Sequence, residues 1–168
     1  GFPKGDKLEL ITQKVTELGA SQIWAFPADW SVAKWDGKKL GKKVEKLEKI
    51  ALGAAEQSKR NFIPSIKMFE RKSDFLAQFD QFNRIVVAYE ESAKEGESAA
   101  LIQAVAGLEK GAKLLFIFGP EGGLSPAEIE SFEAKGAILA GLGPRILRAE
   151  TAPLYALSAI SVLVELEK

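Results

Sequence analysis

The stretch Leu-Leu-Phe-Ile-Phe-Gly-Pro-Glu-Gly-Gly, residues 114–123, decides the fold of this chain. It joins an apolar run that is typical of a strand, Leu114 to Phe118, to a glycine-bearing loop. A second junction of this kind follows at residues 138–151, where Ile138 to Ala140 leads into Gly-Leu-Gly-Pro-Arg-Ile-Leu-Arg-Ala-Glu-Thr. Each loop precedes a helical pattern, so we predict both loops at one edge of a parallel sheet, the edge at which open α/β sheets bind ligands. Glycine permits positive φ there and lets a ligand approach the backbone closely.

Strands alternate with helices throughout the chain, which indicates an α/β fold with a mainly parallel sheet and helices on both faces. We predict strands over Gln22–Pro27, Phe62–Met68, Asn83–Tyr89, Lys113–Phe118 and Ile138–Leu142. We predict helices over Asp6–Leu18, Lys38–Lys59, Ser98–Leu108 and Ala149–Glu167. A short helix is predicted from an N-cap at Ser73 to Phe79, and a further helix opens at Ser125 with a capping box. Residues Glu90–Glu97 are predicted to form a polar loop. Pro64 indicates that its strand is an edge strand. The last helix is apolar on most faces, so we expect it to be buried in the core or against a second subunit.

Composition narrows the chemistry. The 168 residues suit one domain and include no cysteine and no histidine, so we expect no thiolate nucleophile and no bound metal. No apolar run reaches about 18 residues, so we expect no membrane-spanning helix. Reactions that remain depend on positioning or on a cofactor that carries the reactive group. The chain starts without Met in what resembles a linker, so we expect a domain of a longer protein.

Charge is distributed unevenly along the chain. Residues 1–72 carry 15 Lys and Arg against 9 Asp and Glu, and residues 73–168 carry 8 against 14. Much of the excess lies on the predicted helix Lys38–Lys59, whose lysines could meet a polyanion or could simply be solvated. At its end, Gln57 and Arg60 could contact a nucleotide or could be placed favourably on the helix dipole.

The two glycine loops differ in chemistry. Residues 119–123 match neither phosphate-binding glycine fingerprint, and Glu121 would repel a phosphate, so the loop suits a neutral or cationic ligand or is an ordinary turn. In the second loop, Arg145 and Arg148 suit RNA phosphates or an anionic transition state, or they pair with Glu121 and Glu150.

Two of the tryptophans lie in a predicted loop after the first strand. Trp30 and Trp35 could stack on a nucleic-acid base, but we expect both to be buried over the core.

Taken together, four segments resemble the RsmE family of ribosomal RNA small-subunit uridine methyltransferases, within the SPOUT class. They are Lys-Gly-Asp-Lys-Leu-Glu-Leu-Ile-Thr-Gln-Lys-Val-Thr-Glu-Leu-Gly (4–19), Ala-Glu-Gln-Ser-Lys-Arg (55–60), Phe-Gly-Pro-Glu-Gly-Gly-Leu (118–124) and Leu-Gly-Pro-Arg-Ile-Leu-Arg-Ala-Glu-Thr-Ala (142–152). The resemblance implies a trefoil-knotted SPOUT methyltransferase domain over residues 1–168, a homodimer, S-adenosyl-L-methionine as cofactor, and methylation of uridine N3 in 16S ribosomal RNA of the small ribosomal subunit in the cytoplasm.

The resemblance also implies roles for individual residues. The implied cofactor contacts are Glu90, Phe118, Gly119, Pro120, Glu121, Gly122, Gly123, Leu142, Gly143, Ile146, Leu147, Arg148, Thr151 and Ala152. The catalytic candidates are Arg148, Arg145 and Arg60 as cations that stabilise a uracil anion, with Glu121 or water as the proton acceptor. The RNA-contact candidates are Lys14, Lys42, Lys46, Gln57 and Arg60.

The chain departs from the family's pattern in two respects. The family's N-terminal PUA-like β-barrel is absent from these residues, and Trp30 stands where the pattern has arginine. Two other functions fit the same loops: a SPOUT ribose 2′-O-methyltransferase and a non-enzymatic RNA-binding module of the same fold.

Overall fold

The computed structural model describes residues 1–91 and 99–166. Its helices are α1 Lys7–Glu17, α2 Gly37–Gln57, α3 Lys72–Leu76, α4 Ala100–Val105, α5 Pro126–Ala134 and α6 Ala152–Ser161. Its strands are β1 Gln22–Ala25, β2 Ser65–Met68, β3 Arg84–Ala88, β4 Leu114–Ile117 and β5 Ile138–Ala140. A 3₁₀ turn covers Phe79–Gln81, and a π-helical turn, Val162–Leu166, continues α6. The predicted loop Glu90–Glu97 from residue 92 onward, the predicted helix start at Ser98, and Glu167 lie outside the described residues.

The strand pairings of the described residues are all parallel. β1 pairs with β2, and β3 lies between β4 and β5. Within the three-stranded sheet, Val87 lies opposite Ile117 and Ala88 lies opposite Ala140, so the carboxyl ends of the three strands reach the same edge. The predicted α/β class with parallel strands is confirmed, although the strands form two hydrogen-bonded groups and not one. The trefoil knot stays a prediction.

One apolar core joins the two sheets. Phe26 follows β1, and its ring stacks on Phe75 of α3 at 4.3 Å between centroids. Phe132 of α5 meets both rings edge-on, while Val87 of β3 and Ile117 of β4 belong to the same buried cluster. Burial of these side chains therefore holds the carboxyl edge of β3 and β4 against the chain segment that follows β1.

The helix starts predicted at Ser73 and at Ala149 are wrong. α3 begins at Lys72, with Arg71 as N-cap in an extended conformation, so Ser73 lies inside the first turn and does not cap it. α6 begins at Ala152 and not at Ala149, because Pro153 lacks an N–H and fits only the first turn of a helix. The residues from 149 to 151 form a turn in which the Thr151 N–H donates to the Arg148 carbonyl oxygen at 2.9 Å.

The other element predictions hold in outline. β2 starts directly after Pro64 and has one hydrogen-bonded neighbour, as expected for an edge strand. The Ser125 hydroxyl accepts from the Glu128 N–H while the Glu128 carboxylate accepts from the Ser125 N–H, so the predicted capping box is confirmed. α6 and its π-helical continuation keep several apolar side chains exposed, including Tyr155 and Leu166, so this segment is not buried in the core of one chain.

Candidate functional site

A cavity of about 750 Å³ lies at the carboxyl edge of β3, β4 and β5. Its wall is formed by the residues that follow these strands, among them Tyr89 and Glu90 after β3, the loop 118–124 after β4, and part of the loop 142–149 after β5. All of the residues predicted to contact a cofactor line this cavity except Thr151. The structure therefore brings together at one sheet edge two loops that are separated by about 20 residues in sequence, as parallel strands require.

Glycine is required at two points of this wall by close packing. A Cβ on Gly119 would lie 3.1 Å from the Gly123 carbonyl carbon and from the Leu124 nitrogen, so the loop folds tightly on itself. A Cβ on Gly122 would lie 3.2 Å from both the Cβ and the carbonyl oxygen of Trp30. A side chain at either position would push backbone apart, which explains the glycines without reference to a ligand.

Lys7 at the start of α1 bridges the two glycine loops. Its ammonium nitrogen lies 3.2 Å from Glu121 Oε1 and 3.5 Å from Glu150 Oε2. Glu121 also accepts a hydrogen bond from the Lys4 backbone N–H at 2.8 Å. Burial alone would raise the pKa of Glu121, but these hydrogen bonds and the charge of Lys7 outweigh it and hold that pKa below its ordinary value. Glu121 is therefore ionised at neutral pH and is a weak base.

Arg145 and Arg148 both line the cavity and are exposed. Within residues 1–91 and 99–166, no carboxylate lies within 4.0 Å of either guanidinium, because Glu121 and Glu150 pair with Lys7. The alternative in which these arginines pair with Glu121 and Glu150 is therefore wrong. Both charges remain available to a ligand.

Arg60 lies elsewhere. α2 ends with Lys59 at φ 59°, and this left-handed residue turns the chain so that Arg60 points at the end of α1. Its guanidinium donates to the carbonyl oxygens of Thr16 at 2.9 Å, in the last turn of α1, and of Ala20 at 2.8 Å, just beyond that helix. Arg60 does not line the cavity, so the structure does not bring it together with Arg145 and Arg148.

The candidate RNA contacts occupy α1 and α2, which pack against each other. Lys42 and Gln57 are exposed, whereas Lys46 donates to Glu9, which Lys43 also contacts at 2.8 Å. These two lysines hold the pKa of Glu9 below its ordinary value. Lys14 lies 3.9 Å from Glu17 in the neighbouring turn. Lys14 pairs with the exposed Glu17, and Lys46 is itself 61% exposed, so these two lysines can exchange their partners for phosphates at little cost.

A polar cluster beneath the cavity wall was not anticipated from the sequence. Glu128 is 1% exposed, and its Oε2 accepts from the Asp29 N–H at 3.1 Å and from the Lys72 ammonium at 3.3 Å. Asp29 accepts from Lys72 and, at 2.5 Å, from the Ser125 hydroxyl. Burial alone would lower the pKa of Lys72, but the two carboxylates raise it overall. The four side chains come from three segments of the chain. Only the capping box between Ser125 and Glu128 of α5 could be predicted from the sequence.

This cluster fixes the turn that carries Trp30. Trp30 is 50% exposed and lines the cavity, so the prediction that it is buried over the core is wrong. Trp35 does pack against an apolar cluster, with the Lys43 ammonium 5.2 Å from its ring centroid.

Two further observations concern other classes of protein. None of the helices in the described part of the chain is both long enough and apolar enough to cross a membrane. Residues 1–91 and 99–166 contain no group of three His, Cys, Asp or Glu side chains arranged to hold a metal ion.

Comparison with known proteins gives matches along the whole chain. Ribosomal RNA small subunit methyltransferase E of Bacillus subtilis (strain 168) is 54% identical over 166 residues, which cover 99% of this chain and 65% of that protein. A solved structure of a ribosomal RNA small subunit methyltransferase E from Neisseria gonorrhoeae, bound to S-adenosyl methionine, superposes with a TM-score of 0.78 at 25% identity and covers 97% of this chain and 63% of that one. A putative methyltransferase from Legionella pneumophila, solved with the cofactor SAM bound, gives a TM-score of 0.78 at 29% identity over 96% of this chain and 63% of that one.

The chain thus spans slightly less than two thirds of the length of these relatives. The family profile described as an RNA methyltransferase domain matches residues 1–161, nearly all of the chain. Because that match includes both glycine loops and the strands that carry them, the chain belongs to the RNA methyltransferase domain family.

Proposed function

We propose that this chain is a methyltransferase domain that transfers a methyl group from S-adenosyl-L-methionine to N3 of a uridine in 16S ribosomal RNA of the small ribosomal subunit. The observation that carries the proposal is the cavity formed by the two glycine loops at the carboxyl edge of three parallel strands. The B. subtilis relative's name and the cofactor bound in two similar solved structures support it.

The residues at the cavity fit this cofactor. Its volume of about 750 Å³ falls in the range of roughly 300–1,000 Å³ that is usual for small-ligand sites. Carboxylates of Glu90, Glu91 and Glu121 line it, which suits a ligand with ammonium and sulfonium groups. Gly119 and Gly143 keep the backbone bare, and the apolar side chains of Leu142 and Leu147 offer a surface for the adenine ring.

The protein has little covalent chemistry to perform in this reaction. S-adenosyl-L-methionine, when bound, supplies an activated methyl group. Uracil N3 must lose its proton, and the positive charges of Arg148 and Arg145 lower the free energy of the uracil anion. Glu121, which Lys7 and the Lys4 N–H hold in its ionised form, accepts that proton, or water does. Placement of the base beside the cofactor lowers the activation barrier further, by about 7–11 kcal/mol in favourable cases.

We propose further that two copies of the chain associate and that the protein acts in the cytoplasm, where its RNA substrate is made. The exposed apolar residues of α6 and its continuation, among them Tyr155, Val162 and Leu166, would be covered in such a dimer. Sedimentation of the protein and of a Leu166→Glu variant tests this point, since a charge at that position should favour monomers.

The first experiment is a calorimetric titration with S-adenosylhomocysteine, the product form of the cofactor. Micromolar binding supports the cofactor assignment. A folded protein that does not bind S-adenosylhomocysteine contradicts the assignment, and the non-enzymatic RNA-binding module then becomes the favoured function. Methylation of small ribosomal subunits, followed by nuclease digestion and mass spectrometry, then separates 3-methyluridine from ribose methylation.

The roles within the cavity are tested by Arg148→Ala. This change should lower the methylation rate about 100-fold, as loss of one transition-state contact does, and should leave S-adenosylhomocysteine affinity nearly unchanged. Arg71→Ala is the matched control, because Arg71 is an exposed arginine that pairs with Asp74 and does not line the cavity. A normal rate in the Arg148 variant contradicts the assignment.

A further inference from the structure

Trp30 differs from the other two tryptophans in its surroundings. Trp24 packs edge-on against Phe69 and Phe82 at 5.4 and 5.3 Å between ring centroids. Trp35 packs against an apolar cluster under Lys43. Trp30 is instead 50% exposed, makes no such ring contact with any described residue, and lines the cavity. Single exposed apolar side chains are common on proteins, so exposure alone does not indicate that Trp30 contacts a ligand.

The turn that carries Trp30 is held by contacts on both sides. The preceding residue, Asp29, is held through both its backbone N–H and its carboxylate by the buried cluster of Glu128, Lys72 and Ser125. The following residue, Ser31, donates its N–H to the Ala28 carbonyl oxygen at 3.0 Å. On the cavity side, the Trp30 backbone and Cβ pack directly on Gly122. A large aromatic ring is thus presented to solvent at the cavity by a backbone that is fixed on both sides.

We infer that the Trp30 indole stacks on a base of the RNA substrate at the mouth of the cavity, an inference that rests on the proposed function. A base that is to be methylated must leave its helical stack, and aromatic side chains that receive such bases are a general means of RNA recognition. Each stacking contact of this kind contributes about 1–3 kcal/mol to binding. Preorganisation adds to this contribution, because the fixed turn leaves little backbone entropy to lose.

The cavity favours an RNA base over the cofactor's adenine as the partner of Trp30. Half of Trp30 remains open to solvent although it lines the cavity, so it lies at the entrance and not at the closed end. Arg145, which lines the same cavity and is exposed, can neutralise a phosphate of the same nucleotide.

The test compares Trp30→Leu with Trp30→Phe. Leucine keeps an apolar side chain without a π-face, whereas phenylalanine keeps a smaller stacking surface. Val32→Ala is the matched control, since Val32 is 70% exposed on the same loop and does not line the cavity. The probes are S-adenosylhomocysteine in calorimetry and, in binding and methylation assays, small ribosomal subunits from a strain without the modification.

Trp30→Leu should weaken subunit binding and raise KM by roughly 5- to 150-fold, the equivalent of the stacking contribution. Trp30→Phe should recover most of this loss, Val32→Ala should match the parent protein, and S-adenosylhomocysteine affinity should be unchanged in all three. The inference is overturned if Trp30→Leu binds and methylates subunits normally. It is also overturned if S-adenosylhomocysteine affinity falls in parallel, because the indole then packs on the cofactor, or if the variant changes only the oligomeric state.

Failure of the proposed function gives a different result. The parent protein would then not methylate the subunits at all. A parent protein that forms 3-methyluridine, together with a Trp30→Leu variant indistinguishable from it, refutes the role of Trp30 alone.

Discussion

Replacement of Glu128 by alanine should destabilise the domain more than any other single change to a charged residue near the cavity. The Glu128 carboxylate is 1% exposed and accepts hydrogen bonds from the Ser125 N–H at 2.9 Å, the Asp29 N–H at 3.1 Å and the Lys72 ammonium at 3.3 Å. Alanine would leave both N–H groups without their acceptor and would remove half of the α5 capping box.

The expected magnitude follows from these contacts. Each hydrogen bond to a charged group contributes about 1.5–3 kcal/mol, and removal of one member of a buried ion pair costs about 3–5 kcal/mol. In the alanine variant Lys72 still pairs with Asp29 and is partly solvated, so the two energies cannot be added. We expect a loss of about 3–5 kcal/mol in the free energy of unfolding, and a fall in Tm of roughly 6–20 °C for a domain of this size.

Urea unfolding monitored by circular dichroism measures this change. Glu128→Gln should fall between the parent and the alanine variant, because an amide keeps one acceptor oxygen but loses the charge opposite Lys72. Glu133→Ala is the control, since Glu133 is exposed on the same helix and should change stability by no more than about 0.5 kcal/mol. A loss below about 1 kcal/mol in Glu128→Ala would refute the reasoning, because it would mean that the cluster is already solvated.

Three other predictions concern the loops and the surface charges. Gly119→Ala should weaken S-adenosylhomocysteine binding about tenfold, equivalent to about 1.4 kcal/mol, because the new Cβ would press on the loop backbone. Gly53→Ala is the control in the same titration and should bind normally, since its Cβ would meet nothing within 4 Å. The hydrogen bond from Lys72 lowers the pKa of Asp29 in the folded protein. The ionised carboxylate therefore stabilises the fold above the ordinary pKa of aspartate, and this stabilisation is lost as the pH falls through the lowered pKa. In acid-unfolding curves, the stability of Asp29→Asn should therefore depend less on pH below about pH 4 than that of the parent protein. Lys42→Gln should make the dependence of RNA affinity on salt shallower by somewhat less than one unit in a log–log plot, and an unchanged slope would show that Lys42 contacts no phosphate.

Local sequence signals were sufficient for the parts of the fold and site that depend on neighbours along the chain. The apolar runs at β3 and β4 and the glycines that follow β4 identify strand-to-loop junctions by composition alone. Parallel pairing then determines that the loops share an edge, and the cofactor candidates that the family resemblance implies line one cavity there, except Thr151. The capping box at Ser125 was equally predictable because its two partners are three residues apart.

Contacts between distant segments could not be found in this way. Lys7 and Glu121 are separated by 114 positions, and nothing in the spacing of charges indicates that they pair. Arg60 looked like a nucleotide contact because it follows a basic helix, but the left-handed conformation of Lys59 directs it to carbonyl oxygens at the C-terminal end of α1. The direction of one side chain therefore changed its role from ligand contact to helix cap.

The pairing of charges around the cavity supports the choice of the two loop arginines as its functional cations. Lys7 and Lys72 pair with carboxylates, and Arg60 donates to backbone carbonyl oxygens. Arg145 and Arg148 have no carboxylate partner among the described residues, although acidic groups lie on the same cavity wall. In a chain without histidine, a reaction that needs an anion stabilised and a base positioned must use such cations. Since neither pairs with a carboxylate in residues 1–91 and 99–166, we propose that their charge acts on the uracil ring and its phosphates, and this is why we expect Arg148→Ala to affect catalysis and not folding.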